Sequence, residues 1–182
     1  MSGNPFVAVG FYGSNQGDPI LTEPRAWKFR PDIDGNVIDH MLSRCAIGLD
    51  YRTPGLHPGM TREQLISAVR RHNPDRSDKG IHAHAGQLDT LLNRVAKGDL
   101  ALVPRTRGRF MMIGVITSDQ AFVSKTIVQV SVRWLAPDVP LSSFDQDLQY
   151  SFMAIHKFCE VSRNDAPTRL MKICQGEADP GF

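Results

Sequence analysis

The sequence predicts an α+β fold, a small β-barrel with flanking helices. Three observations point to it. Strands and helices do not alternate: the order reads β, loop, β, α, α, several β and a closing α, which argues against a parallel α/β sheet. Several strands must share one core, and 182 residues suffice for one domain with a real core. Gly114 stands inside the apolar run MMIGVIT, where a residue without a side chain suits a tight barrel bend or a close backbone approach. No linker or internal repeat divides the chain. The expected organisation is a strand and long loop over 1–41, part of the same domain as a barrel over 42–174, and then a polar, frayed tail over 175–182.

The elements follow from pattern. Residues 6–12, FVAVGFY, are rich in β-formers and predict a strand. Residues 13–40 carry Gly, Pro, Asn and Asp without a period and predict a long loop, with Trp27 as its anchor or as a lid over a pocket. RCAIGLDY, 44–51, predicts a second strand, broken afterwards by Pro54, Gly55, Pro58 and Gly59. Thr61 and Gln64 form a capping box, with Met60 and Leu65 as its staple. Leu65, Ile66 and Val69 supply the stripe of this helix, and Asn73-Pro74 ends it. A second helix is expected over 83–97, with Leu88, Leu91, Leu92 and Val95 on one face and Gly98 as its left-handed stop. Strands are expected at about 99–104 and 110–117. Residues 126–135 alternate: Val128, Val130, Val132 and Trp134 face one way, Gln129, Ser131 and Arg133 the other. Residues 141–152 read as loop and short helix, 155–162 as a strand. Asn164 or Asp165 caps a last helix through Cys174.

Hydrophobic residues make up 41% and charged residues 22% of the chain, an ordinary globular balance. No apolar run approaches the roughly 20 residues of a membrane span, and no basic-then-apolar leader opens the chain. A cytoplasmic protein without a membrane partner is expected. Cys45, Cys159 and Cys174 show no C-x-x-C spacing and read as packed, reduced thiols.

Catalytic motifs are sparse. No glutamate has a lysine two places on, as a magnesium-dependent nuclease strand would need. Phosphate-binding and dinucleotide-binding glycine loops are absent, as is a G-x-S-x-G elbow. His82 and His84, with His72 nearby, are the best metal candidates, but no carboxylate or thiol completes a recognisable set. Cys45 and Cys159 lie in apolar strands, where a thiol packs as a small hydrophobe. No catalytic residue, metal or cofactor is assigned.

Basic residues carry more information. Of 21 Lys and Arg, 15 are arginine, whose planar fork suits phosphates and base edges; a GC-rich genome gives the same bias. Arg105, Arg107 and Arg109 crowd one hairpin turn, RTRGR, and Arg133 can join them from the polar face of its strand. Such a cluster binds phosphates in a salt-dependent way, although charged turns are often merely solvated. Trp134 reads as core or as the wall of a base pocket. Asp50 and Gln87 can hydrogen-bond a base edge or buried backbone.

In order, CAIGLDY, TREQL, HAGQL, GDLALVPR, MMIGVIT, VSVRWL, PLSSFDQDLQYSF and RNDA resemble one family. It is the N-terminal sensor domain of Mrr-type modification-dependent restriction nucleases, of the PUA-like group with EVE, ASCH, YTH and SRA-related modules. The resemblance covers roughly 42–173. It implies a PUA-like barrel with one pocket, a modified base flipped from double-stranded DNA, and a nuclease domain or subunit that the sensor licenses. Matched residue by residue, Leu49 and Asp50 fall at the pocket end of the first family strand, and His84 and Gln87 at the start of the second helix. Val103, Pro104, Ile113 and Gly114 fall on the strands beneath, Trp134 on the V-x-W-L tryptophan, and Tyr150 to Phe152 on the closing segment. The family has a tryptophan where this chain has Leu49, and another where it has His84. Trp27 and His84 are the candidates to replace the lost aromatic surface. The implied function is non-catalytic recognition of a modified base in a restriction or phage-defence system. The base pocket would be Leu49, Asp50, His84, Gln87, Trp134 and Trp27, and the phosphate grip Arg105, Arg107, Arg109 and Arg133. An RNA-binding module of the same type is the alternative, and a small His-dependent metalloenzyme the second.

Overall fold

The structure, a computed structural model, describes residues 24–31, 43–105 and 108–181. Alternating burial organises it. Along LALV, Leu100 and Leu102 join one apolar cluster while Ala101 and Val103 join another, so this strand is covered on both faces. Strands β1 (Ala26–Phe29), β2 (Ala46–Asp50), β3 (Leu100–Arg105), β4 (Phe110–Ile116), β5 (Phe122–Ser124), β6 (Ile127–Pro140) and β7 (Phe158–Glu160) form one sheet. Its path is β2-β6-β4-β3-β1-β7, with β5 paired to β6. Neighbours are antiparallel except β1 and β3. The sheet curls into a half-barrel with flanking helices, a mixed α+β architecture as the sequence predicts. At the seam, β1 touches β2.

Helices α1 (Arg62–His72) and α2 (Asp78–Asn93) cover the inner face. The capping box forms: Thr61 Oγ1 accepts from Gln64 N at 3.3 Å, and Gln64 Oε1 from Thr61 N at 2.8 Å. Asn73 ends α1 as expected. Helix α2 starts before the expected Ala83, because Ser77 Oγ accepts from Gly80 N at 3.2 Å and caps it earlier. It also stops before Lys97. Asn93 turns its side chain to Met60 O and Gly59 N instead of extending the helix. Gly98, at φ +95°, serves the following turn into β3.

Helices α3 (Gln146–Phe152) and α4 (Ala166–Cys174) cover the outer face, packing Phe144, Leu148, Phe152, Leu170 and Ile173 against β3 and β4. None of the described helices is long and apolar enough to cross a membrane.

Several sequence expectations are corrected. The loop assigned to Trp27 holds strand β1, whose four residues are all buried between β3 and β7. Lys28 and the flanking Arg25 and Arg30 hide this strand in the pattern. Strand β6 runs on to Pro140, because β4 pairs with its far half across register shifts near Ile113. The strand expected over 155–162 shortens to three residues. The described part of the tail is anchored, since Asp179 accepts from Arg169 Nε at 2.7 Å and Nη2 at 2.8 Å. The strand expected at 6–12 lies outside the described residues.

Candidate nucleic-acid interface

Tyr51 leaves β2 at the seam, and His84 faces it from the second turn of α2. Their ring centroids are 5.0 Å apart, edge to face. Tyr51 is 2% exposed. Among the described residues, its hydroxyl and His84 Nε2 are buried without a hydrogen-bond partner, as is Trp134 Nε1. A buried polar atom left unsatisfied costs about 1–3 kcal/mol, so such groups are rare without a reason. Burial holds the Tyr51 hydroxyl protonated. Burial, then the charges of Arg76 and Lys157, push His84 down to about 4 against the opposing pull of the Tyr51 main chain. His84 is therefore a neutral imidazole at pH 7.

This depressed value has a stability consequence. Below the ordinary 6.5 the unfolded chain takes up a proton that folded His84 refuses until about 4. The contribution is complete above 6.5 and declines as pH falls. His84→Gln should shrink the difference in melting temperature between pH 7 and pH 5. An undiminished difference would assign that pH dependence to other groups.

Trp134 lies elsewhere along β6. Ile127 pairs with Asp50 and Trp134 with Gly114, so about 23 Å of strand contour separates the two levels. The half-barrel nevertheless turns both inward, since Tyr51 belongs to the inner apolar cluster and Trp134 packs against it. The indole rests on Gly114, whose missing Cβ would lie 2.9 Å from Trp134 Cε3. The register carries this row on from Gly114 to Ala101 and from Ala101 to Trp27, two small residues between two tryptophans.

The other pocket candidates are redistributed. Trp27 is no lid: it is 1% exposed, stacks on Phe158 and donates from Nε1 to Asp99 Oδ2 at 2.6 Å. Leu49 is core, 1% exposed. Asp50 is exposed at the end of β2, and its carboxylate accepts from Arg52 N at 2.8 Å. Desolvation raises its pKa, but Arg52, Thr126 and Lys157 outweigh it and hold the carboxyl below its ordinary value. Gln87 follows His84 by one helical turn and is half-buried. Among the described residues no three His, Cys, Asp or Glu side chains converge as metal ligands.

The arginine hairpin forms where expected. Arg105 pairs with Phe110 across it, and Gly108 takes φ +81° in the turn. Arg105 Nη1 donates to Asp138 at 2.7 Å, and Arg109 is exposed. Arg107 lies outside the described residues. Arg133 does not share the tip: it pairs with Val115, five residues along β4 from Phe110, or about 16 Å of strand.

Two cations missed in the sequence do share that end of the sheet. Arg30 follows β1, level with Pro104, and its N–H donates to Lys157 O at 2.6 Å. With strands about 4.8 Å apart, the backbones of Arg105, Arg30 and Lys157 span about 10 Å along this end of the sheet, Arg30 and Lys157 on one face and Arg105, one position beyond Pro104, on the other. This row reaches the seam, because Lys157 acts electrostatically on both Asp50 and His84. No motif in the sequence marks Lys157, Arg76 or Tyr51; only closure of the sheet assembles them. No protein-family model matches the chain, and no curated protein matches it.

Proposed function

We propose that this chain is a non-catalytic DNA-binding module of PUA-like type that reads a modified base flipped into the half-barrel. It would serve as the sensor of a restriction or defence system, with a nuclease fused to it or acting in trans. The observation that carries this reading is the pair of buried polar atoms at the seam, Tyr51 Oη and His84 Nε2, which have no hydrogen-bond partner among the described residues. An inserted base supplies partners for both along its edge, and recovering those hydrogen bonds helps offset the cost of unstacking. The row of Arg105, Arg30 and Lys157 favours the same reading, since a strand delivering a base to the seam brings its phosphates past that end of the sheet.

The test is a filter-binding panel of duplexes carrying cytosine, 5-methylcytosine, 5-hydroxymethylcytosine or its glucosylated form, with single-stranded RNA as competitor. The wild-type protein should prefer at least one modified duplex. Tyr51→Phe should lose about tenfold of that preference, the worth of one net hydrogen bond, while its melting temperature rises because an orphaned hydroxyl has gone. Retained preference removes Tyr51 from recognition. Tighter binding of the RNA would transfer the module to RNA.

A further inference from the structure

The most exposed large apolar side chains among the described residues are Tyr150, Met153 and Ile155, at 63%, 68% and 82%. Tyr150 stands in the last turn of α3, and Met153 and Ile155 follow on the turn that leaves it. Phe152, between them in sequence, is buried. Its carbonyl accepts from Lys28 Nζ at 3.3 Å, and so does the carbonyl of Ala154. Lys28 is fully buried. A lysine inside the sheet thus fixes the turn from beneath, while Met153 and Ile155 stand in water.

The position of the turn indicates its partner. It runs straight into His156 and Lys157, and Lys157 lies in the cationic row and acts electrostatically on His84 at the seam. Apolar tips beside cationic strand ends fit a polyanion with apolar faces between its charges. Stacked nucleic-acid bases have that pattern, and bulky aliphatic side chains are used elsewhere to enter base steps. We propose that Met153 and Ile155 are a wedge that enters the duplex beside the target base and occupies the gap left in the stack. This inference rests on the base-reading function proposed above.

The double variant Met153→Ser/Ile155→Ser alters only exposed tips, and its melting temperature should match that of the wild type. The probes are the panel duplex that the wild type binds most tightly and the same duplex with an abasic site opposite the modified base. On the fully paired duplex the variant should bind about tenfold more weakly. Opposite the abasic site, where extrusion is already easy, it should bind within about twofold of the wild type. Equal losses on both duplexes would overturn the wedge in favour of a general contact. No loss on either would overturn it too, and would point to a protein partner for the patch. A wild type that binds no duplex removes the base-reading function and the wedge together; wild-type binding with an unaffected variant removes the wedge alone.

Discussion

Arg169→Ala should lower the unfolding free energy by about 3–5 kcal/mol, the range for removing one partner of a buried ion pair. The arginine side chain is 3% exposed and so is Asp179. Its guanidinium donates to Asp179 through Nε and Nη2, to Asp147 through Nη1 and Nη2, and to Asn164 O. Alanine strands a buried carboxylate without its counter-charge. It also frees the segment after α4, whose Asp179 accepts the N–H of Asp145 at 2.8 Å and so ties the tail to the start of α3. For a domain of ordinary stability this is a large share of the total. Urea unfolding followed by circular dichroism reads the change. A loss below about 1 kcal/mol, the range of exposed pairs, would mean that water screens this cluster.

Gly114→Ala should destabilise the fold by about 1–3 kcal/mol, as overpacking does in a closed core. It should also displace Trp134. The new Cβ would lie 2.4 Å from Val132 Cγ1, 2.9 Å from Trp134 Cε3 and 3.0 Å from Arg133 O. The indole can swing away, but Val132 is β-branched with a stiff χ1, and the carbonyl is fixed by the ladder. The expected signature is a lower melting temperature together with a shifted tryptophan emission, because Trp134 loses its seat while Trp27 stays stacked on Phe158. If Trp134 walls the base pocket, discrimination in the duplex panel falls as well. Wild-type stability and emission would show that β4 and β6 separate there at little cost.

Both residues show what could be read beforehand. Gly114 was legible as a position intolerant of a side chain, because a glycine in the middle of an apolar strand weakens it unless a bend or a neighbouring group needs the space. The capping box at Thr61 was legible because four adjacent residues contain the whole interaction. The Arg105–Arg109 hairpin was legible because turn residues and flanking strands adjoin. Arg169 carried no such mark. Its partners lie 22 and 10 residues away, and nothing local distinguishes it from a solvated arginine. Strand β1 was hidden for a related reason. Its polar member, Lys28, is buried only because α3 and the turn after it offer carbonyls that no local pattern reveals.

Short-range information fixed the α+β class, the helices, the hairpin and the placement of His84 and Gln87 on one helix. Those features depend on residues within about a turn of one another, where periodicity and capping operate. Which polar atoms at the seam lack a partner among the described residues, and which cations share the end of the sheet, was decided by tertiary closure alone. The reason is geometric. Register and curl bring Tyr51, His84, Lys157, Arg30 and Arg105 together from separate strands and a helix, and a partner's absence exists only once every other group has found its own.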